Sequence, residues 1–112
     1  MDKTAAIPIF ESLASSVRLD VFRLLVRQGP QGLVAGEIAA AVGLPATNLS
    51  FHLKALTQSG LLSVTQEGRF QRYRANMALM TELIGYLTDE CCGGNPEACL
   101  PDAAMAACTG CA

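Results

Sequence analysis

Two groups of residues in this chain have the types and the spacing to do chemistry. The first is five cysteines, all beyond residue 90: the adjacent pair Cys91 and Cys92, then Cys99, then Cys108-x-x-Cys111. Thiolates are soft donors, so such a set suits soft metal ions or thiol exchange. The second is the stretch Pro45 to Leu56, which holds the only histidine. Thr47, Asn48, Ser50 and His52 are short donors and acceptors, accompanied by Phe51 and Lys54. Gathered on the front half of a helix, they have what is needed to touch base edges in a DNA major groove. Plainer alternatives stand beside both groups. The stretch also reads as an ordinary amphipathic helix, and the cysteines as a structural zinc site, a redox pair or an end with no role.

Two other classes are less favoured: a metal-storage or chaperone module, for which the cysteines alone would suffice, and an enzyme. A thiol enzyme needs a nucleophilic cysteine beside an anion-binding loop or a general base. The sole histidine sits in the helical stretch, and no cysteine opens a helix after a glycine-rich turn. We expect no catalytic residues and no organic cofactor.

The elements that must position these groups follow from periodicity and punctuation. Leu49, Leu53 and Leu56 recur at i, i+4 and i+7, giving the histidine-bearing helix one buried stripe. Before it, Ala35 to Val42 reads as a short helix with Ile38, Ala39 and Val42 inward, and Gly43-Leu44-Pro45 as the turn between the two. That pair is a helix-turn-helix candidate. Upstream, Pro8 is expected to open a short helix containing Ile9, Phe10 and Leu13. Ser15 or Ser16 caps the next helix, with Val17, Val21, Leu24 and Leu25 on its apolar side and Gly29-Pro30 as its stop.

Downstream, Leu62 to Gln66 and Phe70 to Arg74 alternate apolar and polar residues around Glu67-Gly68-Arg69, a hairpin with arginine at its tip. Asn76 caps a last helix running to about Thr88. Leu79, Leu83 and Leu87 form one stripe on it, and Met77, Met80 and Ile84 form a second. An apolar surface that wide exceeds what a thin domain covers by itself, and predicts packing against a second copy. Beyond Cys91 the glycines, prolines and small residues point to an irregular tail.

Charge is distributed unevenly. The chain of 112 residues has a net charge of −2. Residues 46–76 carry Lys54, Arg69, Arg72 and Arg74 against Glu67, a net +3, while residues 77–112 carry five carboxylates and no Lys or Arg. Screening acts over about 8 to 10 Å in physiological salt, so the local positive patch decides contact with phosphates. No run approaches the roughly 18 apolar residues of a membrane helix. With no secretory signal at Met1-Asp2-Lys3-Thr4, and with an odd number of cysteines, a reducing, cytoplasmic location is expected.

Several motifs together resemble the ArsR/SmtB family of metalloregulatory repressors. Leu13-Ala14-Ser15-Ser16-Val17-Arg18-Leu19 is similar to that family's opening segment, and Gly36-Glu37-Ile38-Ala39 with Val42-Gly43-Leu44 to its first reading-head helix. Leu49-Ser50-Phe51-His52-Leu53-Lys54-Ala55-Leu56, followed by Ser59-Gly60-Leu61, is similar to its recognition helix, and Gly68-Arg69 with Tyr73 to its wing. The likeness spans roughly residues 10–88. It implies a mainly α fold with a two-stranded β wing, a winged helix-turn-helix that dimerises. Residues 1–90 would be the DNA-binding and dimerisation domain, and residues 91–112 an inducer-binding tail.

Carried over position by position, the resemblance puts Thr47, Asn48, Ser50, Phe51, His52 and Lys54 at double-stranded operator DNA. Arg69, with Arg72 in support, would reach the backbone or minor groove. Phe51 stands where the family usually has arginine, which substitutes an apolar contact, such as with a thymine methyl, for a charge.

The family places inducers at different sites, and two of them are absent here. The helix before the recognition helix begins Val34-Ala35-Gly36 without a thiol, and the last helix has no histidine. Cys91, Cys92 and Cys99 resemble the three-sulfur site of family variants that bind As(III), with Sb(III) an equivalent thiophilic ion and Cys108 and Cys111 as substitutes. The expected function is therefore a homodimeric repressor of arsenic resistance genes, released by As(III). The alternatives are a repressor of the same fold responding to Zn(II), Cd(II) or thiol oxidation.

Overall fold

The computed structural model describes residues 1–89. Five helices and a small sheet follow one another in the order expected of a reading head with a wing. Helix α1 spans Lys3–Leu13 and is capped by Asp2, whose Oδ1 accepts from the Ala5 amide at 2.9 Å. Pro8 therefore lies inside this helix rather than opening it, which corrects the sequence reading. A proline in a helix interior cannot donate to the carbonyl four residues back. Here that carbonyl belongs to Thr4, and both residues are exposed, so water can satisfy it. The capping carboxylate at Asp2 gives the helix a start five residues before the proline that could have begun it.

Helix α2, Ser16–Gln28, begins where Ser15 Oγ accepts from the Arg18 amide at 3.4 Å and buries Val21, Phe22 and Leu25. A single 3-10 turn, Gly29–Gln31, leads to the two-residue strand β1, Leu33–Val34. Helix α3, Ala35–Val42, matches the expected bounds. Its start is fixed by Glu37, whose carboxylate accepts from the Val34 amide at 3.0 Å, and its end by the amides of Gly43 and Leu44, which both return to Ala39 O. Helix α4 covers Ala46–Gln58. Strands β2, Leu62–Glu67, and β3, Phe70–Ala75, form the hairpin, and helix α5 runs Met77–Leu87 behind the Asn76 cap.

The wing is the expected hairpin with one addition. The sheet has three antiparallel strands in the order β1-β3-β2, with Leu33 opposite Tyr73 and Val34 opposite Arg72. A two-residue strand carries no periodicity of its own, and its ladder partner lies some forty residues away. Gly32 lets the chain come this close: at φ +62 a Cβ there would collide with the Tyr73 carbonyl oxygen. At the far end Glu67 pairs with Phe70 around Gly68, whose φ of +60 suits a two-residue turn.

One core joins these elements. Leu49, Leu53 and Leu56 of α4 are no more than 2% exposed and meet Val21 and Leu25 of α2, Ile38 of α3, Leu61 and Leu83. Each such side chain contributes roughly 1.5 to 3 kcal/mol by leaving water, so α4 is held from behind rather than by its own propensity. Apolar side chains also remain outside. Ile7 and Phe10 on α1, and Met77, Ile84 and Leu87 on α5, are all exposed. The start of α1 lies beside α5, with the Met1 ammonium 3.7 Å from Glu82.

Candidate nucleic-acid interface

With Leu49, Leu53 and Leu56 turned into the core, the helical period sends Thr47, Phe51 and Lys54 to the outermost line of α4. All three are exposed, as are Asn48 and Ser50 on either side of them. Phe51 is 72% exposed, an unusual position for a large aromatic side chain in a domain with a formed core. Gln58 continues the same line one turn beyond Lys54 and is exposed as well. The sequence reading stopped at Leu56 and missed it, although the same periodicity extends to it.

His52 behaves differently from its neighbours. It is half-buried on the flank of α4, and its Nδ1 lies 3.3 Å from Nη1 of Arg18 on α2. The Phe51 ring stands edge-on to it, with centroids 5.9 Å apart. No short-range signal links residues 18 and 52, and only the packing of α2 against α4 brings them together.

The arginines of the wing divide by position. Arg69 sits in the turn, exposed, and among the described residues it has no ion-pair partner. Arg72 is committed elsewhere: its Nε lies 3.0 Å from Glu67 Oε1, and its Nη1 donates to Gln31 O at 3.1 Å. Arg74 likewise donates to Pro30 O at 2.9 Å and to Thr65 Oγ1 at 3.1 Å. Both strand arginines thus brace the hairpin against the turn that follows α2. The support expected from Arg72 is weakened by the carboxylate that shares its charge. Between α4 and the wing lies a groove of about 380 Å³, lined by Ser50, Lys54, Thr57, Val64, Gln71 and Tyr73. Tyr73 anchors its floor, its hydroxyl donating to Gln71 Oε1 at 3.0 Å, and burial raises the phenol's pKa above its ordinary value.

This arrangement presents one helix edge of short polar groups with a lysine, plus a cationic loop tip beside it. Such a surface fits a major groove and the adjoining backbone. The cysteines proposed as ligands, Cys91, Cys92, Cys99, Cys108 and Cys111, lie outside the described residues. Among the described residues no helix is long and apolar enough to cross a membrane.

Known proteins share this architecture. A helix-turn-helix domain family matches residues 13–65. No curated protein matches the sequence. Among solved structures, the homodimeric winged helix-turn-helix DNA-binding domain of Mb0332 from Mycobacterium bovis, a possible ArsR-family transcriptional regulator, is 31% identical, with a TM-score of 0.62. The match covers 78% of this chain and 81% of that one. An ArsR-like transcriptional regulator from Rhodococcus sp. RHA1 is 25% identical over 75% of this chain and 76% of that one, with a TM-score of 0.66. HlyU from Vibrio cholerae is 26% identical over 78% of this chain and 97% of that one, with a TM-score of 0.62.

Proposed function

The chain belongs to the ArsR family of winged helix-turn-helix transcriptional regulators, and from that premise we propose that it is a homodimeric repressor released from operator DNA by As(III). The observation that carries the DNA half is the exposed line Thr47, Phe51 and Lys54 of α4 beside the exposed cation of Arg69, which has no ion-pair partner among the described residues. Two copies, with their reading helices about 34 Å apart, would sit on an inverted repeat one turn long. The exposed Met77, Ile84 and Leu87 of α5, with Ile7 and Phe10 of α1, supply apolar surface for the second copy. The Mycobacterium bovis domain is itself homodimeric.

The inducer is read from the donors. Cys91 and Cys92 follow α5 within a few residues, and Cys99 completes three thiolates within nine positions. Three soft sulfurs suit trivalent arsenic or antimony, and no harder donor is required. Because these thiols follow in sequence the helix assigned to the dimer contact, their capture of an ion can alter the spacing of the two reading heads. A hundredfold loss of operator affinity needs only about 2.7 kcal/mol of coupling.

A second reading, release by thiol oxidation, is favoured by Cys108-x-x-Cys111, a spacing shared by redox pairs. One experiment separates them. A duplex selected from a randomised pool is titrated in gel shifts with arsenite, antimonite, zinc, cadmium and a disulfide oxidant. Release by arsenite at thiol stoichiometry supports the proposal. Release by the oxidant alone replaces it with the second reading, and failure to select any duplex removes the DNA assignment.

A further inference from the structure

The contact between His52 and Arg18 has a chemical consequence for the reading helix. Arg18 is held from several sides: its Nε donates to Ser12 O at 2.6 Å, and its own amide is bonded to Ser15 Oγ. Ser12 is buried, and its hydroxyl reaches across to Ala55 O of α4 at 3.4 Å. The guanidinium thus approaches His52 from a fixed position at the junction of α1, α2 and α4. A guanidinium has five N–H groups and no lone pair, so the ring nitrogen it meets must supply the lone pair. In the neutral ring Nδ1 then carries no hydrogen, and the hydrogen resides on Nε2. Among the described residues nothing accepts a hydrogen bond from Nε2, although the side chain is half-buried.

Position on the helix indicates what accepts it. Thr47, Phe51 and Lys54 mark the outermost line of α4, whereas His52 lies on its flank beside the buried stripe. A helix lying in the major groove turns its outermost line to the bases and its flanks to the sugar–phosphate walls. We propose that Arg18 is a positioning residue that fixes His52 as an Nε2–H donor to a DNA phosphate oxygen. The guanidinium behind the ring adds positive potential at the same phosphate. This rests on α4 being the DNA-contacting helix and deepens that reading by naming the backbone, not a base, as the partner of its histidine. The contact is therefore independent of sequence.

Because His52 is the only histidine, nitrogen NMR of the imidazole reports a single residue in the full chain. The wild-type protein is expected to show the Nε2–H tautomer. Arg18→Met should let both tautomers appear, and Arg18→Lys, which keeps a cationic donor, should restore the first. In fluorescence anisotropy, His52→Ala and Arg18→Met should each weaken binding by about tenfold, the size of one charge-assisted hydrogen bond. The loss should be equal on a selected duplex and on its scrambled counterpart. An Nδ1–H tautomer in the wild type would overturn the proposal without any folding question about variants. A His52→Ala loss confined to the selected duplex would overturn the phosphate assignment in favour of a base contact. A wild-type protein that binds no duplex would overturn the phosphate contact together with the DNA reading, and the tautomer measured in the same sample shows which part failed.

Discussion

The side-chain amide of Asn76 donates to the carbonyl oxygen of Gly60 at 2.9 Å. The same residue's Oδ1 accepts from the Leu79 amide at 3.2 Å, and its backbone amide donates to Leu61 O at 2.8 Å. One asparagine thus caps α5 and fastens its first turn to the chain leaving α4. The helix that precedes the cysteines in sequence is thereby tied directly to the end of α4. Asn76→Ala should lose both the cap and the tie, about 1 to 2 kcal/mol in denaturant unfolding. Asn76→Ser keeps a capping oxygen but cannot reach Gly60, and should lose about half as much. An Asn76→Ser protein as stable as the wild type would show that the tie to Gly60 contributes nothing.

Arg69 and Arg72 should differ when removed. Arg69→Ala takes a cation from the tip of the wing, and its effect should be a uniform loss of affinity across duplex sequences, with the salt dependence falling by about one counterion. Arg72→Ala breaks an exposed pair with Glu67, worth about 0 to 1 kcal/mol of stability, and should change the salt slope less. Binding isotherms at several salt concentrations check both. Identical slopes for the two variants would refute the division.

Cys91→Ser should abolish the response to arsenite while leaving apo binding to duplex DNA intact, since the reading surface we propose lies on α4 and the wing. The same gel shift measures both quantities. A Cys91→Ser protein still released by arsenite would exclude this residue from the inducer site.

Tyr73 makes stability sensitive to alkali. Its phenol is buried on β3, and burial disfavours the phenolate, raising the folded-state pKa above the ordinary value of about 10. A raised pKa means that the folded state holds the proton more tightly. The contribution is complete below the unfolded pKa and is lost as pH climbs from there through the folded one. Stability should fall from about pH 10 upward, and fall less steeply in Tyr73→Phe. Denaturant midpoints across that range check it, and parallel curves for the two proteins would refute it.

Much of the reading head was legible because it is local. A stripe at 3.6-residue spacing needs only Leu49, Leu53 and Leu56 to declare which face of α4 is buried, and so which face is free. The α3 boundaries, the turn at Gly68 and the Asn76 cap are likewise set by residues within five positions of one another. Pro8 misled because proline favours a first turn, yet a carboxylate at Asp2 and a water-facing Thr4 carbonyl outweighed that preference.

The sequence by itself determined the order of the helices and the hairpin, the exposed edge of α4 and the soft-donor character of the cysteines. Each depends on neighbours in the chain or on side-chain chemistry alone. Tertiary structure decided that Leu33 and Val34 extend the wing, that among the described residues Arg72 is paired with Glu67 while Arg69 is not paired, and that Arg18 meets His52. Those outcomes depend on groups 5 to some 40 residues apart meeting at hydrogen-bond range. Distances of that kind are set by how the helices and strands pack, which no local pattern of residues encodes.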